Sequence, residues 1–264
     1  MRINAIQIII DIIRGKAIKI EFNKLIVRQR LRNKKNIPIV KVIGDSHTSF
    51  FSGHSDITFK HFEFGINNCV DKLENFITFH VGPALAYNLN RYNSTTKARE
   101  KIEYLLKKKC VKRGDTVILS FGCIDTSMHL LKHARNSSCE NLEKNIELIC
   151  QNIINNYFEF INILKKEDVN VYLWAALPQP FCTKPEFETI AINKAVEVFN
   201  TVLSKKAAEN NIVVLSIYDK LINKDYSSKK EYYLDDAHLN NKAWDLAIEE
   251  VKKIDILKNI EIKV

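Results

Sequence analysis

Two short stretches of the chain carry residue types that can do acyl chemistry together. The first is Gly44-Asp45-Ser46-His47-Thr48, which follows directly on the apolar, β-branched run 37–43. A run of that kind reads as a buried parallel strand. Open α/β sheets hold their ligands at the C-terminal ends of such strands. Gly44 permits a tight turn there and Ser46 is carried to the crevice, so Ser46 is a candidate nucleophile. The second stretch, Asp235-Asp236-Ala237-His238-Leu239-Asn240, lies almost at the other end of the chain. A carboxylate three residues before a histidine, in a polar loop ahead of a C-terminal helix, can orient an imidazole as a general base. Ser46 would then attack an acyl carbonyl, with His238 taking its proton and later returning it to the leaving alcohol.

The elements that must bring these stretches together are visible in the hydrophobic pattern. After the run at 37–43, residues 57–64 and 76–81 read as short strands, or as one strand and its approach. Strands follow at 115–121, 169–176 and 212–217. Helical patterns occupy 96–110, 140–165, 188–210 and 242–254, and Pro83 suits the first turn of a further helix reaching Asn90. Such alternation predicts a mainly parallel sheet of about five strands with helices on both faces, a single three-layer α/β/α domain over residues 37–264. Residues 1–36 form an N-terminal arm. Isoleucines and leucines recur there at helical spacing, Gly15 interrupts the pattern, and the arm ends in the basic run 28–35.

Composition bounds the partners. The chain has 264 residues, a hydrophobic fraction of 46% and a formal net charge of +9, enough apolar material for one large domain and a surface that favours anions. The basic run at 28–35 is either a solvated helix end or a peripheral contact with an anionic membrane or a membrane-bound glycan-assembly enzyme. No aromatic residues are interleaved in it, so nucleic acid is the poorest partner. The six cysteines are scattered without a Cys-x-x-Cys pair, which fits reduced thiols and a cytoplasmic location, membrane-peripheral at most. The apolar run Ile8-Ile9-Ile10 is cut by Asp11, too short to span a bilayer, and has no small-residue cleavage site after it. No cofactor motif occurs, and the spacing of His47, Asp125 and His129 matches no metal motif.

The ordered blocks resemble the GDSL/SGNH hydrolase superfamily over about residues 37–250. That resemblance implies a flavodoxin-like sheet and ester cleavage through an acyl-serine. It selects Asp235 over Asp236 by the Asp-x-x-His spacing. His80-Val81-Gly82-Pro83 supplies Gly82, whose backbone N–H, with that of Ser46, would form the oxyanion hole. Phe121-Gly122-Cys123-Ile124-Asp125 stands where the family has Gly-x-Asn-Asp, so Ile124 replaces an asparagine donor, a loss worth about a hundredfold to a thousandfold in rate. Asp125 would hold the first block's loop, and Cys123 would be buried and inert. Residues 44–48, 80–87 and 122–125 are further similar to proteins of bacterial surface-polysaccharide gene clusters, although Cys123 and Ser127 differ from that group's glutamate and arginine. The expected function is a serine esterase or deacylase acting on an acylated carbohydrate or related small ester. Two others stay open: an acyltransferase on a polysaccharide precursor, and a catalytically impaired glycan-binding or assembly protein of the same fold. Asp45, His47, Thr48, Asn88, Asp125 and His129 are candidates to line the pocket. Of these, His47, Thr48 and Asn88 could replace the missing donor, and Asp125 and His129 would share a helix face.

Overall fold

The computed structural model describes residues 15, 19, 21–32, 37–54, 56–69, 71–136, 141–180 and 184–262. Seven strands make one sheet: β1 (Val40–Gly44), β2 (Phe59–Glu63), β3 (Ile66–Cys69), β4 (Phe76–His80), β5 (Thr116–Ser120), β6 (Asn170–Trp174) and β7 (Val213–Leu215), in the order β2-β3-β4-β1-β5-β6-β7. The five strands from β4 to β7 run parallel. Their sequence order, second-first-third-fourth-fifth, is the flavodoxin-like winding, which opens a crevice beside the first strand where the chain changes direction of travel across the sheet. The remaining two strands form an antiparallel hairpin on the β4 edge. The sequence pattern marks β2 within 57–64 but passes over β3, because Ile66-Asn67-Asn68-Cys69 is short and polar in its middle.

Helices cover both faces and complete the three layers. They are α1 (21–31), α2 (Ala98–Lys107), α3 (Leu131–Arg135), α4 (Leu142–Lys166), α5 (Glu186–Glu209), α6 (Tyr218–Leu221) and α7 (Trp244–Val251). The helix expected from Pro83 to Asn90 is instead a single 3₁₀ turn, Ala86–Asn88. Its first N–H groups are taken by the Asp125 carboxylate, at 2.8 Å from Ala86 and 3.2 Å from Tyr87, which fixes one turn rather than starting a long helix. Among the described residues no helix is long and apolar enough to cross a membrane.

The arm differs from its expected form where it is described. Gly15 is itself helical, and α1 docks on the hairpin edge through buried Val27 and through Asn23, whose amide donates to the His61 carbonyl. Its basic end is not simply solvated. Arg28 pairs with Glu63, while Arg30 reaches Asp71 at 2.9 Å and the carbonyls of Leu73, Glu74 and Phe76. Asp71, with 1% of its side chain exposed, also accepts from Asn68 and Thr78. Burial pushes its carboxyl up to about 6, and Arg30 is the main pull the other way. Most of residues 1–20, and residues 33–36 with the rest of the basic run, lie outside the described residues.

A buried carboxylate that loses its cation costs far more than an exposed pair does. Arg30→Met should therefore lower stability by about 3 kcal/mol, while Arg32→Met at the exposed end of α1 should stay within about 0.5 kcal/mol. Urea unfolding of both variants checks this, and equal small effects would mean that the arm is not anchored through Arg30.

Candidate active site

The site begins with a steric constraint. Gly44 ends β1, in register with His80 of β4 on one side and Ser120 of β5 on the other. A Cβ at Gly44 would lie 2.1 Å from the Ser120 carbonyl oxygen, so no other residue fits. The chain then turns at Asp45, whose carboxyl Oδ1 accepts from the His47 N–H at 2.9 Å and caps the 3₁₀ helix Ser46–Ser52. Ser46 is the first residue of that helix, where backbone N–H groups have no partner within the helix.

Aromatic packing holds the helix in place. Phe50 stacks on Trp244 at 4.7 Å between ring centres, and Phe51 meets Trp174 edge-on at 5.0 Å. The Trp244 indole N–H donates to the Phe50 carbonyl, and the Asn241 amide donates to the Gly53 carbonyl. Both residues belong to the segment that follows His238, so the same contacts set the distance between the two chemical stretches.

The His238 loop is closed on itself. The Leu234 N–H donates to the His238 carbonyl at 2.7 Å, and Tyr233 pairs with Leu239 as an isolated bridge. Asp235 Oδ1 accepts from the N–H groups of Ala237 and His238, at 2.9 and 2.8 Å. Both carboxylate oxygens lie 2.9–3.0 Å from His238 Nδ1. Partial burial pushes the Asp235 carboxyl up, but those two N–H groups and the imidazole outweigh it, and the group ends below the usual carboxylate range. It is therefore an anion that fixes a proton on Nδ1, leaving Nε2 to accept the Ser46 hydroxyl at 2.8 Å. A serine so placed loses its proton to the ring as it attacks.

Gly82 lies just past β4, the strand paired with β1. Val81 N–H donates to the Gly44 carbonyl at 2.9 Å, continuing the β4–β1 pairing one step past the strand. Gly82 then takes φ +105°, a backbone conformation that residues with a side chain rarely adopt. Ile124 precedes a π-helical turn, Asp125–Leu130. Its side chain has no donor to offer there.

The pocket-lining expectations divide. His47 is beside the reacting pair: its ring centre is 5.1 Å from that of His238, it is 8% exposed, and burial, helped by His238, holds its pKa down at about 3. It is thus a neutral imidazole. Asp45, Thr48 and Asp125 do not line a pocket. Asp45 is fully buried, the Thr48 hydroxyl donates back to the Asp45 carbonyl, and Asp125 is buried under the Ala86–Tyr87 turn, where it braces the segment after Gly82. Asn88 closes that 3₁₀ turn, half-buried. His129 is not brought to the site in company with Asp125. Its ring lies 6.1 Å from that of His133. Cys123 is buried, its sulfur accepts from the Leu177 N–H, and burial pushes its thiol well above the ordinary range.

A three-layer α/β sheet with a serine, an imidazole and a carboxylate in line at the end of its first strand defines the serine hydrolase class. The sequence profile of the GDSL-like lipase/acylhydrolase family matches residues 40–251, and the chain belongs to that family, whose chemistry is ester hydrolysis. No curated protein matches the sequence. Solved structures do. A GDSL-like lipase from Bacteroides thetaiotaomicron is 14% identical, with a TM-score of 0.50 over 84% of this chain and 88% of its own. The C-terminal domain of the Drosophila Oskar protein is 10% identical, with a TM-score of 0.50 over 80% of this chain and 85% of its own. An extracellular lipase from Streptomyces rimosus is 12% identical, with a TM-score of 0.45 over 85% of this chain and all of its own. At these identities the likeness is one of fold.

Burial pushes the Asp45 carboxyl up to about 8, the His47 N–H pulling against it and Asp125 adding to it. Folded, Asp45 keeps its proton to about pH 8; unfolded, it releases it near 3.8. Its contribution to stability is therefore complete below the lower value and is lost as pH rises towards the upper one. Asp45→Asn removes this linkage. In urea unfolding at a series of pH values, the variant should gain on wild type steadily between about pH 5 and pH 8. Parallel curves would show that Asp45 is ionised in the fold.

Proposed function

We propose that this chain is a serine esterase or deacylase that works through an acyl-serine intermediate, with an acylated carbohydrate or a related small ester as substrate. Ser46 is the nucleophile. His238 takes its proton and delivers it to the leaving alcohol, and Asp235 holds the imidazole in the tautomer that can accept. The Ser46 and Gly82 N–H groups bind the oxygen that becomes negative. The observation that carries this reading is the unbroken relay from Asp235 through His238 Nδ1 and Nε2 to Ser46 Oγ, at 2.9 and 2.8 Å.

The carbohydrate half of the proposal has separate support. Residues 44–48, 80–87 and 122–125 are similar to proteins of surface-polysaccharide clusters, and neutral His47 beside His238 offers a hydrogen-bonding group suited to a sugar hydroxyl. Ile124 leaves a weakened oxyanion hole, which favours a slow or selective enzyme over a general lipase.

Wild type should hydrolyse a small aryl acetate and be labelled by a fluorophosphonate at Ser46. Ser46→Ala should lose both, and Asp235→Asn should lower kcat by about ten-thousandfold while the fold is kept. Release of acetate from acetylated sugars, against transfer to an added sugar acceptor, separates hydrolase from acyltransferase. Equal background rates for wild type and Ser46→Ala, with no labelling, would leave a binding or assembly protein in place of an enzyme.

A further inference from the structure

The catalytic reading leaves one oxyanion donor short, and a lysine outside the three catalytic side chains bears on one of the two that remain. Lys101 projects from α2, which also carries the exposed Lys107. Its ammonium is instead half-buried and donates to the Val81 carbonyl at 2.6 Å. That carbonyl belongs to the same peptide group as the Gly82 N–H. A Cβ built on Gly82 would lie 3.5 Å from Lys101 Nζ, so the ammonium rests against Gly82 itself. Among the described residues no ion pair engages Lys101, and burial alone pulls its pKa down. A partly desolvated cation with no carboxylate beside it acts on nearby dipoles at fuller strength than a solvated one.

We propose that Lys101 is a positioning residue for the oxyanion hole, which strengthens the Gly82 N–H as a donor by polarising the Val81–Gly82 peptide from its carbonyl end. The inference rests on the esterase reading above. A peptide group is conjugated, so charge drawn onto its oxygen is drawn from its nitrogen, and the N–H becomes a stronger donor. The lysine contact is charge-assisted, which makes it one of the stronger hydrogen bonds a carbonyl can accept. The oxyanion develops only in the transition state, so the benefit falls on kcat rather than on substrate binding. In this way a lysine on the outer side of the loop offsets part of what Ile124 cannot give. The same contact restrains the rotation of the peptide, and with it the direction of the Gly82 N–H.

The test is a substitution series measured on a small aryl acetate. Lys101→Met should lower kcat about tenfold, since it weakens a donor without removing it, and should leave KM and the urea midpoint close to wild type. Lys101→Arg, which keeps the charge and the donor, should recover most of the rate. Lys101→Gln, which keeps a neutral donor and serves if the methionine variant folds poorly, should fall between. A structural lysine would not move the Gly82 amide nitrogen resonance in step with kcat; a polarising one should. Ile124→Asn should raise kcat by a larger factor in Lys101→Met than in wild type, because both groups serve one oxygen. If wild type turns over but Lys101→Met matches it, or if the arginine variant is no better than methionine, this inference is wrong and the esterase reading stands. If wild type has no turnover that depends on Ser46, both fall.

Discussion

Gly44 is where two parallel strands approach so closely that no side chain fits between them, and the site is built on that approach. With Ser120 pressed against its α-carbon, the end of β1 cannot shift or twist away, and the next residues must turn out of the sheet at a fixed place. Asp45 caps the turn from below, Ser46 opens the short helix above, and Val81 closes on the Gly44 carbonyl from β4. β1 and β4 thus bring Ser46 and Gly82 to the same end of the sheet. His238 comes from the far end of the chain, and Trp244 and Asn241, which follow it, grip the Ser46 helix.

The electrostatics behind the site follow from burial. Carboxyl groups at Asp45 and Asp125 lie beneath the loop with backbone N–H groups as their donors, and desolvation pushes both upwards, Asp125 to about 6. Asp235 is at the rim, half in water, and stays an anion. The division assigns roles. Deep carboxyls shape the loops by accepting N–H groups, and the carboxylate at the rim carries the charge that the imidazole needs. His47 and His80 are both kept neutral, at about 3 and about 4, by burial first and by nearby positive charge second.

Much of this was legible in the sequence, for physical reasons that also mark where legibility stopped. The meeting of Ser46, His238 and Asp235 could be read because it depends on chain order and local spacing, and the parallel sheet could be read because its strands are continuous apolar runs. What a side chain faces was harder. Asp45 and Thr48 look like pocket residues until a 3₁₀ turn points both back into the backbone, and Asp125 is taken up by the N–H groups of Ala86 and Tyr87, 39 and 38 residues before it. Arg30 and Lys101 sit in basic segments whose local spacing does not show their partners. Their partners, Asp71 and the Val81 carbonyl, are 41 and 20 residues away and meet them only through the tertiary fold.

The central claim is that Ser46 carries the acyl group between two half-reactions. Its most direct test is to mix the protein with an activated acetate ester, quench in acid within the first turnovers, and map the peptides by mass spectrometry. The account predicts one acetyl group on the peptide holding Ser46, accumulating before steady state and disappearing as product forms. An acetyl group on another side chain, or turnover with Ser46 never acylated, would contradict it.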